Sequence, residues 1–178
     1  RNQVLDATEE TIRSLAGYIE TMMDASEACL AVRAARENTK LPIFATMSFN
    51  ENGRTLFGST PEQAVEGLVA AGAKAVGLNC SVGPVEALPV IQAYAAALRE
   101  ASDGEGFAVP LIVQPNAGLP DVSTGQPVYR CAPQEFCEAV SSLVNAGATI
   151  VGGCCGTTPE HIAKIIEYTK DCAPRIPQ

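Results

Sequence analysis

The sequence predicts an α/β fold built from repeated βα units, and two observations support this prediction. Short runs of small and β-branched apolar residues alternate with longer amphipathic stretches along the 178 residues, a pattern typical of parallel strands joined by helices. In addition, the segment 71–80 recurs 75 residues later as 146–155. In each copy a helix ends on Ala-Gly, an apolar strand follows, and cysteine stands at the strand's carboxyl end.

The elements follow one another in a regular order. Strands are expected at Ala16–Glu20, Leu41–Ser48, Ala73–Cys80, Pro110–Pro115 and Ala148–Cys154. Helices are expected at Asp24–Glu37, Pro61–Ala71, Val85–Ala101, Pro133–Ala146 and Pro159–Asp171, with Leu5–Leu15 leading in. Three helix starts carry Pro at the first helical position, where its missing N–H and fixed φ suit a helix. These starts are Thr60-Pro61-Glu62, Ala132-Pro133-Gln134-Glu135 and Thr158-Pro159-Glu160.

Alternating βα units leave two architectures, an open doubly wound sheet and a (β/α)8 barrel. The chain has no Gly-x-Gly-x-x-Gly segment after its first strand and no Walker-type loop, so nucleotide binding lacks support. Polar and thiol side chains fall at predicted strand ends, where a barrel gathers its chemistry: Glu20, Ser48, Asn79, Cys80, Asn116, Cys154 and Cys155. Five strands cannot close a barrel, which takes about 250 residues. If the fold is a barrel, its first part is therefore expected to be missing.

Composition excludes several classes of partner. The net charge is −8, with 12 Lys and Arg against 20 Asp and Glu, which disfavours nucleic acid and anionic membrane surfaces. No apolar run approaches the roughly 20 residues needed to cross a bilayer. Because the sequence begins at Arg1 without Met or a signal peptide, we expect a cytoplasmic piece of a longer protein. Residues 1–172 are assigned to one barrel domain and 173–178 to a linker or tail.

The seven cysteines divide into two groups. Cys29, Cys131, Cys137 and Cys172 are expected to pack as small apolar residues or to have no role. Cys80, Cys154 and Cys155 lie at strand ends among glycines, without Cys-x-x-Cys spacing. Three soft thiolates suit an open catalytic zinc site. A vicinal disulfide or redox role and simple burial remain as alternatives.

A zinc site with three thiolates carries a net charge of −1. This charge suits it poorly to generating hydroxide and well to binding a further sulfur. A thiol bound to such an ion is deprotonated and remains electron-rich. The chemistry expected of the site is therefore alkyl transfer to a thiol.

Four segments resemble the homocysteine S-methyltransferase family. They are Ile19-Glu20-Thr21 with Asp24-Ala25-Ser26-Glu27-Ala28, Gly77-Leu78-Asn79-Cys80-Ser81, Pro115-Asn116-Ala117-Gly118, and Gly152-Gly153-Cys154-Cys155-Gly156-Thr157-Thr158-Pro159-Glu160-His161. Their order and spacing extend over nearly the whole chain. The chain is most similar to the C-terminal part of the homocysteine domain of corrinoid-dependent methionine synthases.

The resemblance implies a zinc-dependent (β/α)8 TIM barrel, of which strands 4 to 8 are present. Cys80, Cys154 and Cys155 are then expected to hold Zn²⁺, the sulfur of L-homocysteine to take the fourth position, and methionine to be the product. No catalytic residue is expected beyond the zinc site. Glu20 is expected to contact the substrate ammonium and Asn116 the amino acid part of homocysteine. Asn79 and Thr21 are further candidates for substrate contacts, and His161 is expected on the surface of the last helix.

The resemblance also implies partners. The expected methyl donor is methylcobalamin, supplied from methyltetrahydrofolate by a corrinoid domain or protein and a folate-binding domain. The alternatives are a sulfonium donor, betaine, or a non-catalytic zinc-binding βα fragment. Because the first three strands of the family have no counterpart before Arg1, this chain alone is expected to be inactive unless those strands are supplied.

Overall fold

The protein forms one parallel β-sheet with helices packed against it. The structure, a computed structural model, describes residues 17–102, 109–123 and 125–172. The strands are β1 (Gly17–Met22), β2 (Ile43–Met47), β3 (Ala75–Asn79), β4 (Leu111–Gln114) and β5 (Ile150–Val151). The helices are α1 (Ala25–Asn38), α2 (Pro61–Ala71), α3 (Pro84–Glu100), α4 (Pro133–Ala146) and α5 (Pro159–Thr169).

The strand order decides between the two architectures. The sheet runs β1-β2-β3-β4-β5 in chain order, and every neighbouring pair is parallel. Because βα crossovers are right-handed, a sheet that always proceeds in one direction keeps its helices on one face. A doubly wound sheet reverses its order and covers both faces. The observed arrangement is that of a partial barrel.

Side-chain contacts across the face opposite the helices show that the sheet is curved. The Tyr18 hydroxyl on β1 donates a hydrogen bond to Oε1 of Gln114 on β4. These two strands would be about 14 Å apart in a flat sheet. Asn79 on β3 likewise reaches Thr21 on β1. The helix-free face is therefore concave, like the interior of a barrel.

The predicted elements within the described residues are all present, and every strand except β1 is shorter than predicted. β5 is the largest correction: it covers Ile150–Val151 and not Ala148–Cys154. Ala148 belongs to the helix-end turn, since its N–H donates to the Leu143 carbonyl at 3.0 Å, and the glycines that follow leave the regular strand conformation. β1 continues past Glu20 to Met22. The predicted helix Leu5–Leu15 lies outside the described residues.

The helix starts follow the predicted chemistry. Pro occupies the first position of α2, α4 and α5. Thr60 forms a capping box with Gln63 at the start of α2, and the carboxylate of Asp24 accepts the N–H groups of Ser26 and Glu27 at the start of α1. These side chains satisfy N–H groups that the first turn of a helix leaves without partners.

The hydrophobic core lies between the sheet and the helices. Its sheet side is formed by alternate strand residues and its helix side by small and branched residues. Members include Ala45, Met47, Val76, Leu78, Leu111, Val113, Val32, Leu68, Ile91, Leu98, Phe136 and Leu143. Gly77 faces the other side, where a Cβ would lie 1.8 Å from the Ile112 carbonyl oxygen, so only glycine fits. In the described part of the chain, no helix is both long and apolar enough to cross a membrane.

Candidate metal centre

Three thiols meet at the carboxyl edge of the sheet. Cys80 directly follows β3, and Cys154 and Cys155 lie in the loop after β5. The Sγ atoms of Cys80 and Cys155 are 3.7 Å apart, and those of Cys154 and Cys155 are 4.0 Å apart. All three lie within 4.8 Å of one another, and among the described residues they form the one group of three or more side chains able to hold a metal.

These separations fit a tetrahedral zinc ion. A Zn–S bond of about 2.3 Å with tetrahedral angles places sulfur atoms about 3.8 Å apart. Cys80 and Cys154 are half-buried and Cys155 is exposed, so the cluster is open on one side. Soft thiolates favour zinc over magnesium or calcium. The three cysteines therefore fit a zinc site that keeps one position open.

Backbone hydrogen bonds fix the two adjacent cysteines. Gly152 N–H donates to the Val113 carbonyl at 3.0 Å, and Cys154 N–H donates to the Pro115 carbonyl at 2.9 Å. The Cys155 carbonyl accepts the Ala117 N–H at 2.8 Å. The loop after β5 therefore stays attached to the segment after β4, beyond the end of the regular ladder. This attachment determines where Cys154 and Cys155 lie.

Cys80 is held in an uncommon backbone conformation. Cys80 and Ser81 have φ values of 62° and 65°, a left-handed region that non-glycine residues rarely adopt. Cys80 N–H donates to the Gln114 carbonyl at 3.0 Å, and the Cys80 carbonyl accepts the Val82 N–H at 2.8 Å in a three-residue turn. Strained turns of this kind cluster at functional sites. The turn directs the thiol at the end of β3 towards the other two.

The electrostatics of the cluster favour a bound cation. Burial, together with the neighbouring thiol of Cys80, raises the pKa of Cys154 to about 12. Without a cation, this thiol therefore stays protonated at neutral pH. A divalent ion bound between the sulfurs displaces that proton, because thiolates and not thiols are the ligands.

The predicted substrate residues on β1 lie at an irregularity in the strand. Gly17, Tyr18 and Ile19 pair with β2, and the pairing resumes only at Met22 with a shifted register. Glu20 and Thr21 occupy the interruption. Glu20 is exposed, and Thr21 has a φ of 60°. The structure therefore places the Glu20 carboxylate in solvent at the carboxyl edge of the sheet.

The two predicted asparagines are both buried at this edge. Asn116 accepts the Cys155 N–H on its Oδ1 at 3.1 Å, so its side chain helps to position a metal ligand. Asn79 makes contacts with Thr21, Thr46 and Cys154. Both residues therefore lie within the site that the sequence predicted. These contacts of Asn79 and Asn116 are all made within the protein, without a bound substrate.

Tyr129 is a site residue that sequence reasoning missed. Its ring packs against Gly156, where a Cβ would lie 2.3 Å from the Tyr129 Cβ and Cγ atoms. Burial, and after it the neighbouring Cys155 thiol, raises the pKa of Tyr129, so its hydroxyl lies near that thiol. Tyr129 lies in the segment between β4 and α4, which the strand-end argument did not consider. The one related signal in the sequence is the glycine at position 156, which has no side chain and so leaves space for a close neighbour.

His161 corrects a prediction. It was expected on the helix surface, but it is 4% exposed. Its Nδ1 accepts the Thr158 N–H at 3.1 Å, its Nε2 lies 2.9 Å from the Cys131 carbonyl, and its ring packs edge-to-face on Phe136. The sequence placed it correctly inside α5, but the segment before α4 covers this first turn. His161 is therefore a buried cap that joins two segments.

The other four cysteines lie outside the cluster. Cys29 and Cys137 are buried, as their predicted apolar helix faces required, and Cys137 donates to the Lys164 carbonyl. Cys131 contacts the core and Cys172 is exposed. The structure therefore brings Cys80, Cys154 and Cys155 together at the strand ends and leaves the other four cysteines apart from them.

Comparisons with known proteins agree on one family. The profile described as homocysteine S-methyltransferase matches residues 9–169. Methionine synthase of Mycobacterium leprae (strain TN) is 31% identical over 160 residues, which are 86% of this chain and 12% of that protein. Methionine synthase of Mycobacterium tuberculosis (strain ATCC 25618 / H37Rv) is 31% identical over 153 residues, with 83% and 12% covered. The chain thus spans about an eighth of the length of these curated relatives.

The fold has a counterpart among solved structures. The crystal structure of the homocysteine methyltransferase MmuM from Escherichia coli, in its metallated form, matches with a TM-score of 0.64 at 20% identity. The match covers 85% of this chain and 44% of that one. At this identity the likeness shows the fold alone. It confirms the predicted α/β fold with part of a barrel.

Proposed function

This chain belongs to the homocysteine S-methyltransferase family, and on that premise we propose that it carries the metal-binding part of an enzyme that methylates the thiol of L-homocysteine to give methionine. The observation that carries the proposal is the cluster of Cys80, Cys154 and Cys155, in which two sulfur–sulfur separations, 3.7 and 4.0 Å, match those of a tetrahedral zinc site and all three sulfurs lie within 4.8 Å of one another. Because Cys155 is exposed, we place the homocysteine sulfur on the solvent side of the cluster.

The metal and its three cysteine ligands have separate functions in the proposed centre. Zinc held by these cysteines would offer an open fourth position and would keep a thiol bound there ionised at neutral pH. The three thiolates would bring the charge of the centre to −1, so a fourth sulfur would stay electron-rich. Cys155 is the exposed member of the cluster, its N–H donates to Oδ1 of Asn116, and Tyr129 lies beside its thiol.

Glu20 and Asn116 are the proposed contacts for the amino acid part of homocysteine. The Glu20 carboxylate is exposed at the carboxyl edge of the sheet, where it would accept hydrogen bonds from the substrate ammonium. Oδ1 of Asn116 is engaged by the Cys155 N–H, so its amide nitrogen is the group we assign to the substrate carboxylate. Binding both the ammonium and the carboxylate of homocysteine orients its sulfur. The methyl transfer then takes place between groups that are already held in position.

The proposed reaction is a direct methyl transfer. The homocysteine sulfur attacks the methyl carbon from the side opposite the donor, an S–C bond forms, and the donor leaves with the electron pair of the broken bond. We propose methylcobalamin as the donor, carried on another domain or protein and replenished from methyltetrahydrofolate. The similarity to two methionine synthases favours this donor over a sulfonium compound or betaine. The free thiols suit the cytoplasm, where we place the protein.

Zinc K-edge X-ray absorption with and without L-homocysteine tests the proposal. The full-length protein should show three sulfur ligands alone and four with homocysteine. Cys155→Ala should lose this gain, while Cys172→Ala, an exposed cysteine outside the cluster, should keep it. A fourth protein sulfur in the resting state, with no change on adding homocysteine, would leave only a structural zinc site. Assays with methylcobalamin, S-adenosylmethionine, S-methylmethionine and betaine then identify the donor.

A further inference from the structure

The Asn79 side chain joins three strands and the loop after β5. It is 1% exposed. Its Oδ1 accepts the Thr21 N–H and the Thr46 hydroxyl, both at 2.7 Å. Its Nδ2 donates to Thr21 Oγ1 at 2.7 Å and points to the Cys154 sulfur at 4.0 Å. A primary amide offers two acceptor positions and two donors, so these four contacts use the whole group.

The orientation of this amide is fixed by its partners. A backbone N–H can only donate, so the group that faces Thr21 N must be the oxygen of Asn79. The Thr46 hydroxyl, itself 0% exposed, faces the same oxygen. The NH2 group is thereby turned towards Thr21 Oγ1 and Cys154. No donor or acceptor of Asn79 is left for a substrate.

Thr21 needs the support that Asn79 provides. Its φ of 60° is an outlier for a β-branched residue. Such a conformation persists only where the surroundings over-determine it. The pairing of β1 with β2 is interrupted between Ile19 and Met22, so the regular ladder does not hold Thr21 in place. Two hydrogen bonds between Thr21 and the Asn79 side chain, one accepted and one donated by Asn79, do so instead.

We propose that Asn79 is a positioning residue, not a substrate ligand: by holding Thr21 in its left-handed conformation it directs the adjacent Glu20 carboxylate towards the amino group of homocysteine. The Asn79 amide also lies next to Cys154. It therefore sets the distance between Glu20, which binds the ammonium, and the thiolates that bind the metal. This inference rests on the proposed function, in which Glu20 contacts the ammonium.

The inference predicts a defect in recognition of the amino group. The measurement is calorimetric binding of L-homocysteine and of 4-mercaptobutanoate, which lacks the amino group, to the zinc-loaded full-length protein. Glu20→Gln should lower the preference for homocysteine about tenfold, the loss of one charge-assisted hydrogen bond. Asn79→Ala should lower it by a similar factor. The double variant should lose no more than either single one, because both act on one interaction.

A second variant keeps the test valid if Asn79→Ala does not fold. Thr46→Val removes one hydrogen bond to the amide and leaves shape nearly unchanged, and Thr46 is too buried to touch substrate. It should lower the same preference by a smaller factor, about threefold. Zinc content and the unfolding temperature are recorded for every variant. A purely structural Asn79 would weaken binding of both thiols equally and leave the preference unchanged.

The possible failures are distinguishable. If the wild-type protein shows no preference for homocysteine over 4-mercaptobutanoate, the proposed function of Glu20 is wrong. If the wild-type protein and Glu20→Gln behave as expected but Asn79→Ala and Thr46→Val retain the full preference, the positioning role of Asn79 is wrong and the proposed function stands. Additive losses in the double variant would likewise overturn the inference, since they would place Asn79 and Glu20 on separate interactions.

Discussion

Tyr129 packs directly on the backbone of Gly156, next to the candidate metal ligand Cys155. A methyl group on Gly156 would lie 2.3 Å from the Cβ of Tyr129, an atom too close to the main chain to rotate away. The φ of Gly156 is 79°. Close packing and backbone conformation therefore both require glycine at this position.

Gly156→Ala should destabilise the protein and weaken metal binding. We expect a loss of at least about 2 kcal/mol in the free energy of unfolding, from the left-handed alanine and the overpacked ring. Zinc affinity should fall about tenfold because Cys155 moves. The control is Gly58→Ala, which has a φ of 89° and no atom within 4 Å of the added Cβ. Urea unfolding and a competitive zinc titration measure both effects; equal losses in the two variants would show that the Tyr129 contact contributes nothing.

Tyr129→Phe removes the hydroxyl that lies near the Cys155 thiol. Partners of metal ligands orient them and tune their charge, so we expect zinc affinity to fall about tenfold. The sulfur-to-metal charge-transfer bands of the cobalt-substituted protein should also shift. Tyr168→Phe, a partly exposed tyrosine on α5, is the matched control. An unchanged cobalt spectrum in Tyr129→Phe would mean that the hydroxyl does not reach the bound thiolate.

Glu20→Gln should impair substrate binding without loss of zinc. The variant keeps the shape of the side chain but replaces a charge-assisted hydrogen bond with a neutral one, so KM for L-homocysteine should rise about tenfold. Zinc content should remain at one ion per chain. Glu66→Gln, on the exposed side of α2, should change neither value. Loss of zinc from Glu20→Gln would instead point to a role for this carboxylate in the metal centre.

His161→Ala should lower stability through the loss of a buried cap. The Thr158 N–H and the Cys131 carbonyl lose their partner, and we expect a decrease of about 2 kcal/mol in the free energy of unfolding. Lys164→Ala on the same helix removes only an exposed ion pair with Glu167, which is worth at most about 0.5 kcal/mol. Denaturant titrations of both variants measure the difference. If His161 were a surface residue, His161→Ala and Lys164→Ala would lower the free energy of unfolding by the same small amount.

Much of the fold was predictable from the sequence because its signals are local. Short apolar runs located all the described strands, longer amphipathic stretches located the helices, and Pro at the first helical position marked the starts of α2, α4 and α5. The predicted strands β2 to β5 were too long at their ends, most of all β5, whereas β1 continues past its predicted end. At β5 the capping turn after α4 and the glycines before Cys154 replace regular strand pairing. The hydrophobicity pattern of the sequence contains no signal for these two features.

The sequence by itself determined the type and order of the elements and the three thiols of the candidate metal centre. Parallel strands bring their carboxyl ends to one edge of the sheet, so Cys80 and Cys155 could be placed together although 75 positions separate them. Only the tertiary structure decided that Tyr129 lies against Gly156, that His161 is buried, and that Asn79 holds Thr21. These contacts join loops and strand ends whose meeting depends on the curvature of the sheet, and curvature arises from the packing of the whole chain and leaves no periodic trace in the sequence.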